Sequence, residues 1–122
     1  MIKVFEKVFG AVVVAASGSI YSKDIDVSER DLNWVFGFQG TVTGDGTATI
    51  TYLTSIDGVT FNAVASHTSV VATQTKTSGP ASNGKILAEF AEAPLSCRFL
   101  RLKLTEAGGA NGVTLSLDVI AR

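Results

Sequence analysis

The segment Gly79–Lys85 carries the spacing most suggestive of chemistry, because Gly-Pro-Ala-Ser-Asn-Gly-Lys matches the opening G-x-x-x-x-G-K of a phosphate-binding loop. Such a loop needs Ser or Thr after the lysine to hold Mg²⁺, and it must lead from a strand into a helix. Ile86 follows the lysine here, and the alternating residues after it predict a strand. The motif therefore predicts no nucleotide site.

Aspartates suggest a second chemistry, calcium binding. Asp24 and Asp26 begin a D-x-D-x-S pattern, but Glu29 stands where an EF-hand loop needs Gly, and Val35 where it needs a bidentate Glu. A calcium site built from separate loops, as in β-sandwich lectins, would draw on Asp24, Asp26, Asp45 or Asp57. Aspartates in turns more commonly cap the backbone, so we expect no metal and no other cofactor.

Nucleophilic and acid–base catalysis lack the necessary groups. Cys97 is the single cysteine, so it forms no internal disulfide, and His67, the single histidine, lies in a Ser/Thr-rich stretch without an orienting motif. Glu89 and Glu92 are close in sequence, yet nothing indicates that they converge in a groove as glycoside hydrolysis requires. We predict no catalytic residue and no enzymatic activity.

Composition narrows the class of partner. Of 122 residues, 46% are apolar and only 17% charged, while 13 Thr and 11 Ser supply surface polarity. A net charge of -1 and a pI near 5.7 give no reason to expect nucleic acid. The one basic cluster, Arg98, Arg101 and Lys103, is half of a predicted strand. A surface with so few charges repels neighbours weakly, which favours a protein that packs against others.

The N-terminus resembles a signal peptide, with Lys3 and Lys7 followed by apolar residues 8–16 and then Ser17-Gly18-Ser19. Glu6 interrupts the basic region, and nine apolar residues are too few to cross a bilayer as a helix. We therefore expect residues 8–16 to remain in the protein as a strand, and we expect no membrane partner. Mass spectrometry of the native protein checks this, since cleavage would leave a chain beginning near Ser17 or Ser19.

Alternation of apolar and polar residues with turn clusters between predicts about eight or nine short strands. We expect an all-β chain, an antiparallel β-sandwich of jelly-roll-like form, with residues 1–122 as one domain. Glycine-bearing turns predict hairpins across Thr43–Gly46 and at Asp57-Gly58. The predicted core consists of Trp34, Phe36, Ile50, Tyr52, Phe61, Leu100, Leu102, Leu115 and Leu117.

Three segments together resemble a known family. They are Gly44-Asp45-Gly46-Thr47, the run Thr51-Tyr52-Leu53-Thr54-Ser55-Ile56-Asp57-Gly58-Val59-Thr60-Phe61, and Arg98-Phe99-Leu100-Arg101-Leu102-Lys103-Leu104-Thr105. From about Ser17 to the C-terminus the chain resembles small β-sandwich structural proteins of tailed phages and prophages. It is more weakly similar to discoidin-like jelly rolls, which bind sugars or lipid head groups, but it is shorter and lacks their paired terminal cysteines.

The resemblance implies a virion component, foremost a capsid decoration or cement protein that binds the capsid lattice and stabilises it, or else a head- or tail-associated accessory. Its partners would be the major capsid protein or another virion protein, after assembly in the host cytoplasm. Self-association is also expected, with a trimer among the candidates. The alternative is a carbohydrate- or receptor-binding β-sandwich module, which would need exposed aromatic side chains in a concave site or a calcium ion.

Overall fold

The computed structural model describes residues 4–27, 36–63, 69–90 and 97–121. In these parts the chain is all-β, as its alternating pattern predicts. The strands are β1 (Val4–Val14), β2 (Ser19–Tyr21), β3 (Ile25–Asp26), β4 (Phe36–Thr43), β5 (Ala48–Ser55), β6 (Ser69–Gln74), β7 (Lys85–Phe90), β8 (Phe99–Glu106) and β9 (Val113–Ala121).

Two antiparallel sheets form the sandwich. Sheet A has the order β1-β9-β4-β7, and sheet B has the order β2-β8-β5-β6 with β3 also paired to β8. Along the chain, successive strands cross from one sheet to the other except within β2–β3 and β5–β6. This is the strand arrangement of a jelly roll, a double-sheet fold that occurs in viral capsid and lectin domains. The predicted fold class is confirmed.

The core lies between the sheets and is built by one face of each long strand. In β8 the buried residues alternate with half-buried ones over all eight positions, and β9 repeats the pattern. The buried apolar side chains are Phe9, Val14, Ile25, Val27, Phe38, Val42, Ala48, Ile50, Tyr52, Ile86, Leu100, Leu102, Leu104, Val113, Leu115, Leu117 and Val119. Each large one contributes about 1.5–3 kcal/mol by its transfer out of water.

Six of the nine predicted core residues are confirmed as buried, namely Ile50, Tyr52, Leu100, Leu102, Leu115 and Leu117, and one, Phe61, differs. Phe61 is only half-buried, because it follows β5 and lies under the Arg101 side chain on the outer surface of sheet B. The prediction that Phe61 packs between the sheets is therefore wrong. Trp34 lies outside the described residues, as does the side chain of Phe36.

The hairpin predicted across Thr43–Gly46 is also wrong, because β4 belongs to sheet A and β5 to sheet B. The turn is an arch between sheets. Gly44 has φ +89°, and Gly46 donates its N–H to the carbonyl of Gly112 at 2.9 Å. A Cβ on Gly46 would come within 2.6 Å of that same carbonyl oxygen, so only glycine fits where the chain leaves sheet A.

The turn at Asp57-Gly58 is confirmed as the start of an in-sheet return, since β5 pairs with β6. Immediately after the turn, the chain pairs with β5 through a single antiparallel bridge. Thr54 and Asn62 form this bridge through two backbone hydrogen bonds of 2.9 and 3.0 Å.

The N-terminal apolar segment forms β1, which pairs with β9, so the predicted strand is confirmed over residues 8–14. Its pairing shifts register between Lys7 and Phe9 and again between Phe9 and Val12. At the second shift Ala11 has φ +50°, and its N–H donates to Ser116 Oγ at 2.9 Å. Such bulges interrupt an edge strand and hinder its pairing with other chains. No helix in the described parts is long and apolar enough to cross a membrane.

Candidate functional site

Of the four aspartates considered as calcium ligands, Asp24 and Asp26 lie together at β3, whereas Asp45 and Asp57 lie in the turns at opposite ends of β5. Asp24 pairs with Arg101, its Oδ1 lying 2.8 Å from Nε, and Asp45 pairs with Lys76 at 2.5 Å, which lowers the pKa of Asp45. Asp57 caps its own turn at the far end of β5. Across the described residues no three His, Cys, Asp or Glu side chains group closely enough to hold a metal ion.

The segment that resembles a phosphate-binding loop leads directly into β7, as predicted. Gly79 and Gly84 have φ of +94° and +79°, and the Gly84 N–H donates to the Ser78 carbonyl. The loop thus satisfies its own backbone ahead of a strand and has no helix N-terminus for phosphate. Cys97 is half-buried against the core, while His67 and Glu92 lie outside the described residues.

Glu106 is a buried carboxylate that the sequence interpretation missed. Its Oε1 accepts the N–H of Ser17 at 3.1 Å and of Gly109 at 2.7 Å, and its Oε2 accepts those of Thr47 at 2.8 Å and Gly108 at 2.7 Å. These hydrogen bonds lower the pKa of Glu106 to about 2. One side chain therefore joins the β1–β2, β4–β5 and β8–β9 connections at one end of the sandwich.

The outer face of sheet B concentrates cations against aromatic rings around β8. The Arg101 guanidinium lies 3.7 Å from the Phe61 ring centroid, Lys103 Nζ lies 5.6 Å from that of Tyr21, and Arg98 lies 5.5 Å from that of Phe99. All three cations lie within the distance of about 6 Å at which a ring face attracts a cation, and Arg101 lies by far the closest to its ring. The basic cluster is thus engaged with rings, and Arg101 also with Asp24.

Replacing Arg101 with alanine is expected to lower the free energy of unfolding by about 1–2 kcal/mol, because the cation–π contact with Phe61 and the ion pair with Asp24 are lost together. Urea unfolding measures the change. Arg98→Ala is the matched control, since Arg98 is exposed and more distant from its ring, and its effect should stay below about 0.5 kcal/mol. Equal effects of the two variants would show that the Arg101 stack contributes nothing.

The outer face of sheet A has a different character, which we call the hydroxyl face. Its centre consists of uncharged polar side chains, namely Gln39, Thr41, Thr43, Thr114 and Ser116. Two aliphatic side chains stand exposed near its opposite edges, Val13 of β1 at 73% and Leu87 of β7 at 71%. The charged groups described on it are Lys85 and the ion pair of Lys7 with Asp118 at 3.2 Å.

The turn after β5 is fixed by its own side chains. Asp57 Oδ1 accepts the N–H of Val59 and of Thr60, each at 2.8 Å, and the Ser55 hydroxyl at 3.0 Å. The Gly58 N–H in turn donates to Ser55 Oγ at 2.9 Å. These bonds lower the pKa of Asp57 to about 2, the Thr60 N–H contributing most. A shallow pocket of about 460 Å³ adjoins this turn.

Comparison with known proteins confirms the architecture. A chain in the structure of infectious bursal disease virus, Gx strain, superimposes with a TM-score of 0.60 and 11% identity over 97% of this chain and 31% of that one. A chain of T=1 particles derived from infectious bursal virus gives 0.61 and 9%, over 97% and 30% respectively. The protein spans less than a third of either chain, and identities this low establish the fold alone.

The SPBc2 prophage-derived protein YomS matches more loosely, with a TM-score of 0.43 and 9% identity over 100% of this chain and 98% of that one, which is too distant to support an argument. No protein-family model and no curated protein matches the sequence. What these comparisons establish is the fold, a β-sandwich that also occurs in chains of infectious bursal disease virus.

Proposed function

We propose that this protein is a non-enzymatic structural component of a virion, a capsid decoration or cement protein that docks on the capsid lattice through the hydroxyl face of sheet A. The observation that carries the proposal is the character of that face, which is rich in hydroxyl groups and flanked by exposed Leu87 and Val13. Two of the three charged groups described on it, Lys7 and Asp118, neutralise each other in an ion pair. The sequence resemblance to phage structural proteins and the use of this fold in virus particles support it.

The chemistry of the face suits a protein partner. The cores of protein interfaces are depleted in charged residues, and short side chains such as Thr41, Thr114 and Ser116 permit a partner to approach the sheet closely. Exposed aliphatic groups such as Leu87 gain from removal of water on docking. The hydroxyl groups keep the free face hydrated before it binds.

Weak single contacts are sufficient for such a role. A lattice presents many identical sites, and self-association of the docked protein raises the effective concentration of each further contact. Closed symmetric assemblies are the usual form of such self-association. A trimer is one arrangement compatible with this scheme.

The test is cosedimentation of the purified protein with shells assembled from the major capsid protein of the same genome, together with light scattering of the protein alone. We expect saturable binding to shells, self-association, and no change on addition of EDTA or nucleotide. A protein that stays monomeric and ignores the shells would contradict the proposal and favour the binding-module alternative.

A further inference from the structure

We propose that the pocket beside the Asp57 turn, hereafter the turn pocket, binds a neutral saccharide. It belongs to the β5–β6 connection of sheet B and is separate from the hydroxyl face, so this inference goes beyond the docking function and does not depend on it. Of the residues that the structure describes, those lining it are Thr54, Ser55, Ile56, Asp57, Thr60 and Asn62.

Its size is appropriate for a small ligand. The volume of about 460 Å³ lies within the roughly 300–1,000 Å³ typical of small-molecule sites. The scaffold is also fixed before any ligand arrives, because Ser55 and Asp57 hold the turn and the Thr54–Asn62 bridge closes its base. A preorganised site loses less conformational entropy on binding.

Several hydrogen-bonding groups at the pocket are not used by the hydrogen bonds that hold the turn. Asp57 uses Oδ1 for all three of its hydrogen bonds, which leaves Oδ2 available. Asn62 pairs with Thr54 only through the backbone, so within the described structure its side-chain amide is unengaged. The hydroxyl groups of Thr54 and Thr60 likewise take part in no hydrogen bond between described residues.

The set of free groups selects the class of ligand. An ionised carboxylate accepts from sugar hydroxyls, and an amide both donates to and accepts from them. No Lys, Arg or His is among the described lining residues, which disfavours phosphate and other anions. No aromatic ring is among the described lining residues, so Ile56, 68% exposed, provides the apolar edge for the C–H face of a sugar ring in place of the aromatic side chain expected of a saccharide-binding module. A neutral polyol fits this combination better than an apolar or an anionic molecule.

The experiment is a titration of ¹⁵N-labelled protein, followed by amide chemical shifts, with four neutral probes and two anionic ones. The neutral probes are maltotetraose, xylotetraose, chitotetraose and methyl α-mannoside, and the anionic probes are glucuronate and inorganic phosphate. At least one neutral probe at up to about 20 mM should give saturable shifts, centred on residues 54–62.

Variants make the test specific. Asn62→Ala and Thr60→Val should each weaken binding of the active probe at least about tenfold with little change in melting temperature, since the backbone bridge remains. Asn111→Ala, in the β8–β9 connection at the opposite end of the sandwich, is the matched control and should bind as the wild type does.

Absence of shifts at residues 54–62 with every neutral probe, stronger binding of the anionic probes, or unchanged binding by Asn62→Ala would each overturn the proposal. Shell binding by the same samples is scored separately. Loss of the saccharide site therefore leaves the docking proposal intact, and the reverse also holds.

Discussion

Replacing Glu106 with glutamine is expected to lower the melting temperature at neutral pH by roughly 5–10 °C. The carboxylate accepts four backbone N–H groups, two on each oxygen. A glutamine amide offers one oxygen, and its NH₂ group would face two donors. Because those donors belong to the connections that close one end of the sandwich, the substitution loosens several segments at once. Thermal unfolding followed by circular dichroism measures the effect.

The pH dependence of the difference in melting temperature between wild type and Glu106→Gln shows whether the carboxylate charge causes it. The pKa of Glu106 falls from 4.5 to about 2 in the folded protein, so its stabilisation is complete above pH 4.5 and is lost as pH falls toward about 2. The gap in melting temperature between wild type and Glu106→Gln should therefore close over that window. Asp57, whose pKa is also about 2, titrates in both proteins, so its contribution cancels in the difference between their melting temperatures.

Asp118→Asn is the matched control, because Asp118 is a partly exposed carboxylate in a surface ion pair. Such surface ion pairs contribute little to stability, so the melting temperature of Asp118→Asn should differ only slightly from that of the wild type. A gap for Glu106→Gln that stays constant from neutral pH down to pH 2 would mean that the carboxylate charge is not what stabilises the end of the sandwich.

Replacing Leu87 with glutamate is expected to weaken binding to capsid shells by at least about tenfold, equivalent to about 1.4 kcal/mol per site. The change places a charge on the hydroxyl face, where docking would remove it from water without a partner. Since the side chain is 71% exposed in the free protein, folding should be unaffected. Cosedimentation with shells gives the affinity, and circular dichroism verifies the fold.

Val59→Glu is the control for this substitution. Val59 is also an exposed aliphatic residue, with 82% of its surface accessible, but it lies in the turn after β5 rather than on sheet A. The same aliphatic-to-acidic change there should leave shell binding as in the wild type. Equal losses from both variants would indicate a general charge effect, and equal binding by both would exclude the hydroxyl face as the contact.

The alternating pattern was sufficient to predict the all-β class and most of the core, because one-sided burial imposes period 2 on each strand. It was not sufficient to predict which strands pair. An in-sheet hairpin and an arch between sheets place the same residues inward, so Phe38 and Ile50 alternate correctly in either arrangement. The deciding contact, Gly46 against Gly112, joins segments far apart in sequence.

Two side chains show where pattern and chemistry diverge. Glu106 follows Leu100, Leu102 and Leu104 on the inward face, and this position was the available signal that a carboxylate is buried. Its partners come from three connections, which no local rule links. Phe61 is apolar but lies outside the sandwich, because the Arg101 guanidinium of β8 stacks on its ring and shields it from solvent.

Fold and function remain distinct questions for this architecture, since jelly rolls serve in capsid and in lectin domains alike. The two proposed sites lie on different sheets. We propose the hydroxyl face of sheet A as the protein contact and the turn pocket of sheet B as the saccharide contact. A virion protein with both would dock through one sheet and present the other.

Electron cryomicroscopy of shells saturated with the protein tests the docking proposal most directly. We predict density at a repeating lattice position, with sheet A and its Leu87 and Thr41 side chains turned toward the shell and the β5–β6 turn directed away from it. Shells that remain bare at saturating protein, or bound density with sheet A facing solvent, would contradict the account.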